Sequence, residues 1–133
     1  MSHAAGNMAA VSQYAALAAV TGDQTCVEEM RATYEERINT LYPLLNAIPG
    51  FKLDVKPAGA FYAFPDVSEA VKLTGFGSTD EFVSALLDEA HVAVVPGAAF
   101  GMDDHVRISY ATSMDVLKEA VRRIQAFMAD HQK

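Results

Sequence analysis

The sequence predicts an α+β fold: a small, mostly antiparallel sheet covered by helices. Apolar residues recur every three or four positions in several long stretches, the mark of helices packed on one face. Short runs of alternating or continuous apolar residues lie between them, the mark of strands. The order is two helices, two strands, a helix, two strands and a helix, which implies a sheet with helices layered on it.

Residues 8–20, from Met8 to Val20, are rich in alanine, the best helix former. Their apolar groups fall nearly all round, which predicts a helix buried on several sides. Thr21-Gly22-Asp23 breaks it, and Thr25 with Glu28 fits a capping box for the next helix. There Val27, Met30, Tyr34, Ile38, Leu41, Leu45 and Ile48 form one stripe. Pro43 removes a backbone donor late in that stripe and should kink or loosen the last turns, which Pro49-Gly50 ends.

Phe51 to Val55 alternates apolar and polar residues, Pro57-Ala58-Gly59 is a turn, and Ala60 to Phe64 is a second strand. Residues 51–64 therefore read as a hairpin or near-hairpin. A short helix is expected around Ser68 to Leu73. Ser78 and Glu81 fit a capping box for a helix reaching about Glu89. His91 to Val95 reads as a third strand, apolar enough to be central. Pro96 to Asp104 is a loop, and His105 to Ala111 a fourth strand. Thr112 and Asp115 resemble a cap for a last helix with a stripe of Leu117, Ala120, Val121, Ile124, Phe127 and Met128. Glu119 and Arg123 are a favourably oriented pair on it.

Composition bounds the function. The 133 residues make one domain by size, long enough to bury a core without disulfides or metal. Seventeen acidic against ten basic side chains give a net charge of −7, and no basic run appears. That balance argues against nucleic-acid or anionic-membrane binding. No signal peptide and no membrane span are visible. The single Cys26 rules out an internal disulfide framework, fits a reducing cytoplasm, and reads as a small semi-buried helix residue. The chain is 51% hydrophobic, high for a small acidic domain. Either a generously filled core or a surface that packs on another domain accounts for it.

The candidate chemistry centres on Arg107. In the predicted strand, Val106, Ile108 and Tyr110 point to one face and Arg107, Ser109 and Ala111 to the other. The apolar face should meet the helices, so Arg107 points away from the core. A guanidinium presents a flat fork of donors that matches a carboxylate. On pattern alone an ordinary exposed strand arginine is the favoured reading. Pro96-Gly97-Ala98-Ala99-Phe100-Gly101 lacks the Gly-Lys-Ser/Thr ending of a phosphate loop and opens no helix. Phe61 and Tyr62 read as core aromatics and are given no catalytic role. His3, His91, His105 and His131 are scattered without metal-ligand spacing, so no metal site is expected. His91 and His105 read as surface or strand-end residues. No nucleophile elbow, Cys/His pair or carboxylate dyad is present.

Three stretches together carry a resemblance. They are Lys56-Pro57-Ala58-Gly59-Ala60-Phe61-Tyr62-Ala63-Phe64-Pro65, then Val94-Val95-Pro96-Gly97-Ala98-Ala99-Phe100-Gly101, then Val106-Arg107-Ile108-Ser109-Tyr110-Ala111. In that order they closely resemble the carboxy-terminal small domain of class I/II pyridoxal-phosphate aminotransferases. Ser2-His3-Ala4-Ala5-Gly6-Asn7 resembles the family's S-H-x-x-x-N segment, with departures at Gly6, where many relatives have Ser, and Met8, where many have Pro. Gly22-Asp23-Gln24, Met30-Arg31 and Tyr34-Glu35-Glu36-Arg37 look most like the bacterial aspartate aminotransferases.

The resemblance covers essentially the whole chain, and its implications are specific. Residues 1–23 would be an N-terminal segment and helix linking to a large domain that is missing here, and 24–133 the small domain. Arg107 would bind the substrate α-carboxylate, with Asn7, Gly97 and Phe100 at the active-site rim. The parent enzyme would be a cytoplasmic homodimer that uses pyridoxal phosphate to move an amino group between an L-amino acid, aspartate first, and a 2-oxo acid. In the family the lysine that forms a Schiff base with the cofactor precedes this region, so it should be absent, leaving this chain with no catalytic residue of its own. Lys52, Lys56, Lys72, Lys118 and Lys133 lack that lysine's serine-x-x-lysine context. The chain alone is then expected to hold no cofactor and to be inactive. The rival readings are a stand-alone module that binds a small carboxylate or amino acid, and a structural interaction domain that tolerates Arg107→Ala.

Overall fold

The structure, a computed structural model, describes residues 6–132. It divides into two compact units, Met1–Ala32 and Thr33–Lys133. The first holds helix α1 (Ala10–Thr21) and the opening turns of α2 (Thr25–Asn46). The second holds the rest of α2, then β1 (Tyr62–Ala63), α3 (Ser68–Thr74), α4 (Thr79–Ala90), β2 (Val95–Pro96), a 3-10 turn (Gly97–Phe100), β3 (Val106–Ser109) and α5 (Met114–His131).

In the first unit the expectation of a helix buried on several sides fails. No residue of α1 is buried, and Val11, Tyr14, Leu17 and Val20 are all exposed. Apolar groups spread round a helix need cover on several sides, and this unit supplies none. Gly22 ends α1 as read, its N–H donating to the Ala18 carbonyl. The expected Thr25–Glu28 box does not form. Asp23 accepts from the Thr25 N–H and hydroxyl, and Glu28 instead takes Arg31 at 2.7 Å. Cys26 is exposed rather than semi-buried.

In the second unit the α2 stripe packs from Tyr34 onward. Ile38, Leu41 and Leu45 are buried, while Val27 and Met30 earlier in the stripe are exposed. The helix continues through Pro43 to Asn46. Beneath it lie Phe82 and Leu86 of α4, Leu117, Val121, Ile124 and Met128 of α5, and Val106 and Tyr110 from the β3 segment, in one contiguous core. Tyr110 donates its hydroxyl to the Ala60 carbonyl at 3.1 Å, and burial pushes that phenol's pKa up. An apolar groove of about 510 Å³ opens beside this core, lined in part by Leu41, Val92, Val94, Ile108 and Val116.

The sheet has three strands in the order β1-β3-β2, both pairings antiparallel. Residues 51–64 do not form the expected hairpin. Asn46 takes the Leu53 backbone on its side chain at 2.8 and 3.2 Å, and Lys52 forms an isolated bridge with Asp66. The backbone groups a hairpin would pair are thus already satisfied. Phe51 and Leu53 are still buried, so the apolar alternation is real while the ladder is not. Nor is His91–Val95 a central strand. His91 is the left-handed cap of α4, at φ 55°, and only Val95–Pro96 pair, at the edge. The centre belongs to β3.

Helix ends in this unit follow sequence chemistry closely. Ser78 caps α4 by accepting from the Glu81 N–H, and Glu81 reaches back to the Gly77 N–H at 2.8 Å. The cap of α5 is Ser113, accepting from Val116, rather than Thr112. Glu119 holds both Arg122 and Arg123 on its carboxylate, at 2.7 and 2.8 Å.

Candidate functional site

Arg107 stands on the central strand, half-buried, opposite Val95 of β2. The period-2 alternation works as read: Val106 and Tyr110 are in the core and Arg107 lies on the other face. The flanks of β3 supply what surrounds it. Tyr62 comes from β1 on one side, where its register places it opposite Ser109. Phe100 comes from the 3-10 turn that follows β2 on the other. The guanidinium carbon lies 4.5 Å from the Tyr62 ring centre and 4.6 Å from that of Phe100. Both distances are well inside cation–π range.

The Arg107 guanidinium meets no carboxylate and no hydrogen-bond acceptor among the described residues. The contrast with Arg31, Arg122 and Arg123, each on a glutamate, is plain. A half-buried guanidinium beside two rings, with no counter-ion among the described residues, has N–H donors that can meet an anion.

Below Phe100 the same face continues in aromatic groups. Phe64 packs edge-on to Phe100 at 6.0 Å and stacks on His105 at 5.1 Å. The Nδ1 atom of His105 is buried with no hydrogen-bond partner among the described residues. Asp66 lies close by. Burial pushes its carboxyl up, but hydrogen bonds from Ser68 and the charges of His105 and Lys52 outweigh that and leave it below the usual carboxylate value. Tyr62, Phe64, Asp66 and His105 line a cavity of about 380 Å³ with Lys52 and Asp54.

Gly97 shapes the turn that carries Phe100. It is buried, its N–H donates to the His105 carbonyl at 2.7 Å, and a Cβ there would collide with the carbonyl oxygens of Met102 and His105. Only glycine lets the two backbones approach so closely. Of the residues expected at the site, Arg107 and Phe100 are therefore in contact and Gly97 holds the turn. Asn7 is exposed in the first unit. Ser2 to Ala5, including His3, lie outside the described residues, as does Lys133.

Tyr62 is the residue that sequence reasoning missed. Phe61 and Tyr62, both expected in the core, are both exposed; Phe61 packs on part-buried Tyr34, and Tyr62 shares the face of Arg107. The signal was available in the alternation of Phe61 and Ala63 against Tyr62 and Phe64, once β1 is paired with β3.

Lys52, Lys56, Lys72 and Lys118 are all exposed, with Lys52 on Asp54 at 3.1 Å and Lys56 donating to Asn39 at 2.8 Å. The described residues thus do not fit the role of holding pyridoxal phosphate through a buried lysine. No group of three or more metal-ligating side chains is found among them, and none of the helices they form is long and apolar enough to cross a membrane.

Known proteins share this sequence and this fold. The model of the family "Aminotransferase class I and II" matches residues 2–124. An aspartate aminotransferase of Bacillus sp. (strain YM-2) is 58% identical over 127 residues, which is 96% of this chain and 32% of that protein. An asparagine–oxo-acid transaminase of Streptococcus mutans is 52% identical, again over 96% of this chain and 32% of the relative. The crystal structure of the aspartate aminotransferase from Rhizobium meliloti superposes with a TM-score of 0.85 at 36% identity, covering 99% of this chain and 34% of that one. The chain therefore spans about a third of the length of the curated relatives it matches. In sequence over nearly its whole length, and in its small antiparallel sheet packed under helices, the chain belongs to the class I and II aminotransferase family.

Proposed function

We propose that this chain is the carboxy-terminal small domain of a pyridoxal-phosphate aminotransferase, and that Arg107 binds the α-carboxylate of its substrate. The single observation that supports this most is the state of Arg107: half-buried on the central strand, flanked by two rings, and without an anion of its own among the described residues. Aspartate and a 2-oxo acid are the proposed substrates, from the relatives' names. The asparagine–oxo-acid transaminase among them shows that the amino donor varies within such sequences.

In this reading the cofactor supplies the electron sink and is held, with the lysine, by residues outside this chain. Arg107 binds and orients. Two parallel N–H···O contacts fix the carboxylate in a plane and so aim the rest of the substrate. The aromatic face around Arg107 keeps water from one side of that pair. Residues 1–23 would join the chain to a large domain. The exposed apolar side chains of α1, Val11, Tyr14, Leu17 and Val20, support a surface covered by polypeptide not present here. The parent would be a cytoplasmic homodimer, and the chain alone would be inactive. Cofactor trapped on the isolated chain by borohydride would contradict that last point.

The experiment is Arg107→Ala in the full-length protein. The expected result is a rise of at least tenfold in KM for aspartate, as follows from losing a charge-assisted hydrogen-bond pair of about 1.5–3 kcal/mol. A KM within twofold of the parent's would overturn the assignment.

A further inference from the structure

We propose that Tyr62 and Phe100 are positioning residues for Arg107: their rings hold the guanidinium between the two flanks of β3 and leave its N–H edge free for a carboxylate. The proposal rests on the reading of Arg107 as the carboxylate grip, and adds two residues to it.

The chemistry of a guanidinium separates its faces from its edge. A guanidinium is planar and weakly hydrated on its faces, while all its N–H donors lie in the plane. A ring over a face therefore takes nothing away from a carboxylate that meets the edge. Arg107 has two rings at nearly equal distance, 4.5 and 4.6 Å, reaching it from different elements. Both elements pair with or follow a neighbour of β3, so the spacing is fixed by the sheet and not by one loose loop. A free arginine carries large rotamer entropy, which must be lost when it grips a ligand. Holding it beforehand moves that loss into folding.

The two aromatics have little other employment. Phe100 is 48% exposed and Tyr62 37% exposed, values at odds with a core role. Phe100 touches Phe64 edge-on, and Tyr62 leans on Phe61 at 4.5 Å, both near the surface. The Tyr62 hydroxyl makes no hydrogen bond to a described residue. The ring, and not the hydroxyl, is therefore what the position requires.

The test uses Tyr62→Leu and Phe100→Leu, which keep apolar bulk and remove the ring, and Tyr62→Phe, which keeps the ring. In the full-length protein the probe is succinate, a dicarboxylate with no amino group to react. Each Leu variant is expected to weaken succinate binding about three- to tenfold, in line with a cation–π contact at a partly exposed site. Tyr62→Phe is expected to bind within twofold of the parent. In the 133-residue chain, NMR of the Arg107 Nε–H reads the contact directly: an upfield ring-current shift, retained in Tyr62→Phe and lost in Tyr62→Leu. The shift reports nearness alone, so positioning is read from the order parameter of the Arg107 Nε–H, which should fall in Tyr62→Leu and hold in Tyr62→Phe; an unchanged order parameter in Tyr62→Leu would contradict it. Leu variants that bind succinate as the parent does, with Arg107→Ala binding far more weakly, overturn the positioning role alone. Arg107→Ala binding succinate normally overturns the grip itself, and this proposal with it.

Discussion

Helices α1 and α5 differ in the opposite direction from what their compositions suggest. Between Ala10 and Thr21 there is no charged side chain, yet nothing in α1 is buried. The sequence of α5 is crowded with Asp115, Lys118, Glu119, Arg122 and Arg123, yet Leu117, Val121, Ile124, Phe127 and Met128 are all buried. The amount of apolar surface does not decide burial; its arrangement does. A stripe on one face can be satisfied by a single partner layer, as α5 is by the core of the second unit. An all-round apolar surface needs polypeptide on several sides, and that requirement in α1 is what a part of a longer protein would show.

The comparison breaks most readily at the core. Phe82→Ala should destabilise the chain by about 3–5 kcal/mol, since Phe82 is fully buried among Phe51, Phe76 and Phe127. Leu17→Ala in α1 should change stability by no more than about 0.5 kcal/mol. Denaturant unfolding of both variants checks this, and similar losses would mean that α1 is buried after all. Next in size is Gly97→Ala, expected to cost about 1–3 kcal/mol because the turn must yield to a Cβ that has no room. The same variant should displace Phe100 and shift the Arg107 NMR signal.

Capping sharpens the contrast further. Ser113 accepts from Val116 at the start of α5, whereas α1 starts at Ala9 with no side-chain cap. Ser113→Ala should cost about 1 kcal/mol, and Ala9→Ser should raise the helicity of α1 measurably by circular dichroism. The smallest effect is acid dependence. Arg122 and Arg123 hold the Glu119 carboxyl down to about 2, from an ordinary 4.5. A depressed carboxylate contributes stability above its unfolded value that is lost as pH falls through the folded one. The contribution of Glu119 should thus fade between about pH 4.5 and pH 2, and Glu119→Gln should remove that slope. The ion pairs lie at the surface, with the Glu119 side chain 41% exposed, so solvent screening keeps the slope shallow. Helix α1 carries no carboxylate to respond in that window.

What was legible in the sequence follows the range of the interactions. The helices were, because their signals are local: the stripe of α5, the Ser78 cap and the Glu119–Arg123 pair all lie within a few residues. So was the facing of Arg107, which needs only the alternation of β3. Residues 51–55 and 91–95 were not. Pairing depends on distant partners: at Lys52 and Leu53 the Asp66 bridge and the Asn46 side chain claim the backbone, while His91 and Val92 are taken up by the end of α4, where Val92 donates to the Leu86 carbonyl. Tyr62 stayed hidden for the same reason, since its nearness to Arg107 follows from which strand β1 joins. The motifs around Arg107 pointed to the family directly, and the family is what the relatives show.

The measurement that tests the account most directly is calorimetry of the 133-residue chain with L-aspartate and 2-oxoglutarate. An arginine edge on an open face, however well held, is one solvated contact, too weak by itself to overcome the cost of association. The account predicts no binding tighter than about millimolar, because in the proposed reading Arg107 would close on a substrate only together with the two-thirds of their length that the relatives carry outside the matched region. Submillimolar binding abolished by Arg107→Ala would contradict it, and would make this chain a carboxylate-binding module in its own right.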